Sequence, residues 1–227
     1  MLSTVLLNGR RLQTSIPLPS GNPPGWWTAL ELLVVGILVQ IGLWTKGSTR
    51  GRIIVLGAAW LALTTLWDKT CRKEMGLSLK NFKASLWLIE PVVVLVIIIW
   101  LSGVLAGTAP DTYYPRTLLE RKLGYFLSAF CQQFLMQSYV FTRLQKIAGK
   151  KALGITAVCF SLAHVPNPAL MLIALGGGWV SGSIFRKQRN LCALALAHGI
   201  VGAAMSEFWP SWIMRAGVGA FLKWNGS

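Results

Sequence analysis

Long apolar runs separated by short polar and basic stretches dominate the chain from about residue 27 onward. Several runs approach or exceed the roughly 17–25 residues that an α-helix needs to cross the hydrocarbon core of a bilayer. The clearest, Ala84–Gly107, contains VVVLVIIIWLSGVLAG. The pattern predicts an all-α fold, a polytopic membrane helical bundle of about seven or eight helices. The predicted spans are Trp27–Trp44, Ile53–Trp67, Ala84–Gly107, Leu118–Leu144, Ala152–Val165, Ala169–Phe185 and Leu191–Phe208, followed by a short eighth helix, Ser211–Trp224, with Ser211 as its N-cap.

The chain divides into a tail and one domain. Residues 1–26 contain the turn-rich stretch PLPSGNPPG and lack a sustained apolar core, so they predict an N-terminal cytoplasmic tail rather than a cleavable signal. Residues 27–227 show no internal repeat and no long linker, which favours a single membrane domain.

Composition and charge support a membrane protein. Of the 227 residues, 54% are hydrophobic and only 13% are charged, and the net charge is +15. Most basic residues lie in short loops between apolar runs, as the positive-inside rule describes, so nucleic acid is not an expected partner. Fourteen lysines and arginines fall on one side of the predicted topology and six on the other. This bias predicts a cytoplasmic N-terminus and cytoplasmic loops at Asp68–Lys83 and Arg186–Asn190, in a bacterial-type cytoplasmic membrane.

Five polar side chains lie inside the apolar segments. Gln132, Gln133 and Gln137 share one predicted helix, with Gln133 and Gln137 spaced to share a face, and the chain's two histidines, His164 and His198, lie on two others. Amides and imidazoles in hydrocarbon must find hydrogen-bond partners, and ionisable groups at that depth are candidate functional residues. The five predict either a functional polar cavity or an interhelical hydrogen-bond network without chemistry.

The order of these residues along the chain resembles that in the CPBP family of intramembrane proteases, which includes CAAX-processing and bacteriocin-processing proteases and Abi proteins. The resemblance covers a core at about residues 118–208. The motif Phe, three residues, His is met by Phe160 and His164 in FSLAH. His198 matches the later histidine, with Gly202 where Asn is usual. The Glu-Glu, three residues, Arg motif matches in spacing only, since all three of its positions are glutamine.

The resemblance implies roles for these residues. His164, His198, Gln132 and Gln133 occupy catalytic positions, and Gln137 and Phe160 are assigned to substrate binding. In active members a glutamate, helped by histidines, activates water, whereas a carboxamide cannot accept the proton. No dedicated metal site is predicted. The cofactor is left open, and a divalent metal such as zinc could be held by His164 and His198.

Other carboxylates could replace the missing base. Glu31 and Glu90 lie in predicted spans, and Glu120 is thirteen residues before Gln133. Glu207 is nine residues after His198, which predicts the opposite helix face. An unassisted histidine is a further alternative, since imidazole titrates near neutral pH.

Three functions remain open from the sequence. The first is a CPBP-like intramembrane endopeptidase acting on or binding membrane peptides or proteins. The second is a catalytically inactive pseudoprotease that binds a membrane protein partner. The third, a small-molecule or ion carrier, is least supported because inverted repeats are missing.

Overall fold

A computed structural model describes residues 24–68, 74–78, 82–108 and 118–218, with the side chains of residues 118–122 and 211 left out. Every regular element in these ranges is helical, so the predicted α-helical fold is confirmed. The α-helices are α1 Gly25–Trp44, α2 Gly47–Trp67, α3 Ile89–Leu105, α4 Leu118–Gln133, α5 Thr142–Ala148, α6 Ala152–Leu162, α7 Pro168–Gln188 and α8 Leu191–Phe208. Short 3₁₀ helices span Lys83–Leu88, Gly149–Lys151 and Ser211–Met214, and a π-helical segment, Phe134–Phe141, joins α4 to α5.

Four of the described segments are long and apolar enough to cross a membrane: Gly25–Trp44, Lys83–Leu105, Pro168–Gln188 and Leu191–Phe208. Only 17% to 50% of the most apolar window in each segment is buried within the protein, so at least half of every window is not buried. Outward-facing apolar side chains are unfavourable in water and favourable in lipid. The protein is therefore an integral membrane protein.

Asparagine side chains begin the last two long helices. The Asn167 side chain accepts a hydrogen bond from the backbone N–H of Leu170, and Pro168 occupies the first position of α7. Asn190 caps α8 in the same way, through the N–H of Ala193. Both residues are almost completely buried, so these caps satisfy backbone donors that water cannot reach.

Loops that the charge count assigned to one side of the membrane lie at one end of the bundle. Lys146 forms an ion pair of 2.6 Å with Asp68, Arg189 contacts Glu74 at 3.6 Å, and the Ser85 hydroxyl donates to Gln188. The first contact joins α5 to the end of α2, and the other two join the end of α7 to the segment that precedes α3. The grouping of these loops thus agrees with the predicted topology, while the side of the membrane on which they lie stays a prediction.

A buried ion pair fastens α1 to α5. Arg143 Nε lies 2.7 Å from Glu31 Oε2, and both side chains are at most 1% exposed. The Arg143 guanidinium also lies 3.6 Å from the centroid of the Tyr139 ring, and the Tyr139 hydroxyl is hydrogen-bonded to Thr64 on α2. Arg143 is one of the fourteen basic residues that the sequence analysis assigned to the cytoplasmic side, where it was counted as a loop residue. That assignment to a loop is wrong for this position.

The predicted eighth helix is wrong for the part that the structure describes. A 3₁₀ turn ends at Met214, Arg215 is extended, and Gly217 has a φ of 58°, which favours glycine. The Asn167 side-chain N–H₂ donates to the backbone carbonyls of Trp212, Ile213 and Arg215 at 2.8–3.0 Å. Because one buried amide holds three carbonyl acceptors within four residues, residues 211–217, here called the strap, fold back over the start of α7. Residues 219–224 lie outside the described ranges, as does most of the predicted N-terminal tail, residues 1–23.

Candidate functional site

A cavity of about 1450 Å³ lies between α1, α3, α4, α6, α7, α8 and the strap. Most of its wall is apolar, with Trp87, Leu88 and Leu95 along the α3 side. Of the predicted site residues, Gln132, Gln133, Phe160, His164 and His198 all line it. The fold therefore brings five of the six into one space, although they come from three separate helices and the turn after one of them.

Gln133 and His198 meet directly across the α4–α8 interface. Gln133 Nε2 lies 3.0 Å from His198 Nδ1, and the Gln133 side chain is 4% exposed. With the amide donating to Nδ1, the neutral imidazole carries its proton on Nε2. Gln133 Oε1 is buried and has no hydrogen-bond partner among the described residues. The amide thus fixes the His198 ring while leaving one strong acceptor unused.

Phe160 links the two histidines. Its ring centroid lies 5.0 Å from that of His164 and 6.0 Å from that of His198, and both contacts are edge-to-face. His164 Nδ1 donates to the Phe160 carbonyl at 2.7 Å, which leaves Nε2 of the neutral ring as an acceptor. The aromatic ring therefore sets the spacing of the imidazoles, and the sum of the two distances is the upper limit on their separation.

Gln132 is half-buried and bonded within its own helix. Its Nε2 donates to the Ser128 hydroxyl at 3.0 Å, one turn earlier on α4. Ser128 also lines the cavity. Gln132 thus borders the cavity without touching either histidine through a hydrogen bond.

Gln137 does not line the cavity, so the expectation that it joins Gln133 in one polar cavity is corrected. Gln137 lies in the π-helical segment, where the backbone hydrogen bonds run from residue i to i+5. Its side chain is 1% exposed, and its Nε2 donates to the Ser181 hydroxyl at 3.0 Å. Ser181 in turn donates to the Gly178 carbonyl, so Gln137 fastens the π-helical segment to α7.

Gly202 stands one turn after His198, where the family resemblance leads one to expect asparagine. A Cβ atom at this position would lie 3.4 Å from the Tyr125 ring and 4.0 Å from the His198 ring. Both distances are ordinary van der Waals contacts, so Gly202 packs against the Tyr125 side chain of α4.

The alternative carboxylates are placed differently from the sequence expectations. Glu31 is paired with Arg143, Glu90 is exposed on α3 beside a shallow outer groove, and the Glu120 side chain lies outside the described ranges. Glu207 lies near the end of α8 and also lines the main cavity, although nine residues of regular helix place it on the opposite face from His198. The strap extends the cavity to this level, because Met214 and Ala216 line the same cavity where α8 ends.

The donor set does not fit a catalytic metal. No group of three His, Cys, Asp or Glu side chains that could hold an ion exists within the described ranges. Catalytic zinc sites use three protein ligands, and His164 and His198 supply two. Neutral glutamines add no charge to hold a divalent cation.

Ser181, Asn167 and Arg215 were missed by sequence reasoning. Ser181 and Asn167 act through partners 44 to 48 residues distant in sequence, and local spacing gives no signal for such contacts. Ser128 is four residues before Gln132, and this helical spacing could have revealed their hydrogen bond.

Comparison with protein families supports the resemblance. Residues 115–204 match the family model described as Rce1-like, type II CAAX prenyl endopeptidase Rce1-like. The matched range contains both histidines and the three motif glutamines, Gln132, Gln133 and Gln137. The resemblance to the CPBP family is confirmed. Comparison with the curated proteins and with the solved structures finds no match.

Proposed function

We propose that this CAAX-protease-like membrane protein binds a segment of a membrane peptide or protein in the cavity and does not hydrolyse it. The observation that carries this proposal is the hydrogen bond between Gln133 and His198. At the position where the family resemblance implies a carboxylate, an amide donates to the imidazole. A carboxamide holds the ring in place, but it cannot take a proton from water.

The cavity offers what a bound peptide needs. Extended peptide backbone carries alternating donors and acceptors, and these must be satisfied inside a membrane protein. The unused Nε2 of His164 is an acceptor beside an apolar wall. Side chains of a membrane peptide would pack against Trp87 and Leu95, and its backbone N–H groups would donate hydrogen bonds to the polar side chains of the cavity.

Hydrolysis is the second candidate, favoured by Glu207 because this carboxylate lines the same cavity. Along α8, however, nine residues separate Glu207 from His198, a rise of about 13 Å at roughly 1.5 Å per residue. One water molecule cannot bridge that distance, so a Glu207 mechanism would have to use His164 or act alone. His164 or His198 would be the base in a mechanism without a carboxylate.

The topology completes the proposal. The end of the bundle that carries Asp68, Lys146 and Arg189 faces the cytoplasm of a bacterial-type membrane, and the strap lies at the opposite end. This orientation rests on the surplus of basic residues in the loops at that end.

Two adjacent glycines on α7 allow a sharp test. A Cβ at Gly176 or Gly177 would meet nothing within 4 Å, but Gly177 lines the cavity and Gly176 does not. Fluorescent membrane peptides from a library are titrated into purified protein, and the products are followed by mass spectrometry. We expect Gly177→Leu to abolish binding, Gly176→Leu to retain it, and neither the starting protein nor its variants to cleave.

Two outcomes decide between the candidates. Cleavage by the starting protein that disappears in His164→Ala would replace the binding proposal with hydrolysis. Equal binding by the two leucine variants would show that peptides bind elsewhere on the molecule.

A further inference from the structure

The charged part of the cavity wall points to a ligand other than a peptide. Among the described residues that line the cavity, the carboxylate and guanidinium groups belong to Glu207 and Arg215, near the end of α8 and in the strap. Glu207 already takes part in an interaction. Arg215 is exposed, and its side chain has no ion-pair or hydrogen-bond partner in the part of the chain that the structure describes.

The position of Arg215 is fixed through its backbone. Its carbonyl accepts a 3.0 Å hydrogen bond from the Asn167 side chain, which is completely buried. Two residues further along the chain, the Gly217 N–H donates a hydrogen bond to the Val165 carbonyl at 2.7 Å. The guanidinium is thus carried by an anchored segment at one end of a deep apolar space.

The volume of the cavity is large enough for a chain-like ligand. Its volume of about 1450 Å³ exceeds the roughly 300–1,000 Å³ typical of small-molecule sites. Val39 on α1 and Val92 on α3 both line it. α1 packs mainly on α2 and α5, whereas α3 packs mainly on α8. The cavity therefore lies between α1 and α3, both of which present apolar side chains on their outer surfaces.

We propose that the cavity binds one anionic phospholipid, with its phosphate paired with Arg215 and an acyl chain along the apolar wall of α3. Charge complementarity favours an anionic lipid, because its phosphate accepts the two parallel N–H groups of a guanidinium and no choline cation offsets its negative charge. The apolar wall selects a lipid over a free anion, since each buried CH₂ adds to the affinity. Because the proposed peptide ligand occupies the same cavity, lipid and peptide compete for it.

The test is native mass spectrometry of the full-length protein in detergent with added phosphatidylglycerol or phosphatidylcholine of identical acyl chains. We expect one phosphatidylglycerol to bind more tightly than phosphatidylcholine. Arg215→Gln should weaken phosphatidylglycerol binding roughly fivefold and phosphatidylcholine binding by a smaller factor, because choline already offsets the charge of its phosphate. The control Arg186→Gln removes an exposed charge at the other end of α7 and should change neither affinity. Gly177→Leu should reduce the binding of both lipids, and Gly176→Leu should not.

Several results would overturn the proposal. Equal affinity for the two lipids, or an Arg215→Gln variant that binds phosphatidylglycerol as the starting protein does, would remove Arg215 as the phosphate partner. Displacement of phosphatidylglycerol by millimolar inorganic phosphate would show a site for a free anion. Lipid binding that persists in Gly177→Leu would place the lipid outside the cavity. Each readout measures lipid directly, so its failure is distinct from a failure of peptide binding.

Discussion

Gln133 Nε2 lies 3.0 Å from Nδ1 of His198, and this contact joins α4 to α8 inside the protein. The pair occupies positions where the family resemblance implies a carboxylate beside a histidine. The amide preserves the alignment of the ring but carries neither charge nor basicity. What remains is a set of polar side chains inside a large apolar cavity. Such a cavity is suited to binding.

The first prediction compares the two adjacent glutamines. Gln133 is 4% exposed, whereas Gln132 is half-buried and bonded to Ser128. Burying a carboxylate without a cation costs several kcal/mol, so Gln133→Glu should lower the thermal unfolding temperature in detergent more than Gln132→Glu.

The double variant Gln132→Glu and Gln133→Glu should be the least stable, because its carboxylates repel each other. Adding Gln137→Arg would recover stability if that side chain reached the carboxylates. In the described structure Gln137 is bonded to Ser181 instead, so little stability should be recovered. Equal unfolding temperatures for the two single variants would contradict the burial argument.

The second prediction concerns the ion pair between Glu31 and Arg143. Glu31→Gln leaves the completely buried guanidinium without its counter-charge, and it should destabilise the protein by about 3–5 kcal/mol. Combining it with Arg143→Met removes both charges and should restore much of the loss. A double-mutant cycle of unfolding free energies in detergent measures the coupling, and additive effects would show that the two residues do not act as a pair.

The third prediction tests the bond that holds the π-helical segment. Ser181→Ala removes the only hydrogen-bond partner that the described residues give to the Gln137 amide, whose Oε1 is already unpartnered. The cost should be about 1–3 kcal/mol, because a buried donor is left unsatisfied. Ser183→Ala, on the same helix and at the cavity wall, is the matched control and should change unfolding by no more than about 0.5 kcal/mol. A similar loss in both variants would remove the special role of Ser181.

The fourth prediction fixes the orientation in the membrane. Lys187 is exposed at the end of α7, and Trp212 is exposed on the strap at the other end of the bundle. In a background without the four native cysteines, a membrane-impermeant thiol reagent applied to intact cells should label Trp212→Cys and leave Lys187→Cys unlabelled until the cells are opened. The reverse pattern would invert the topology and place the strap in the cytoplasm.

The sequence by itself determined the protein class, the existence of the helices and the residues of the polar site. Hydropathy and caps are local properties, so apolar runs and residues such as Asn190 can be interpreted without knowing the fold. The motif spacing likewise identified Phe160, His164 and His198 before any geometry was known.

Only the tertiary structure decided how these residues are used. Gln137 donates to Ser181 on α7, which is 44 residues distant in sequence, and lies outside the cavity that Gln133 lines. Arg143 counted as a loop charge until α1 supplied Glu31, which is 112 residues distant in sequence. Asn167 folds the strap back so that Glu207 and Arg215 reach the cavity wall. Each of these outcomes depends on a contact between segments far apart in the chain, and no local pattern of hydrophobicity or spacing encodes such a contact.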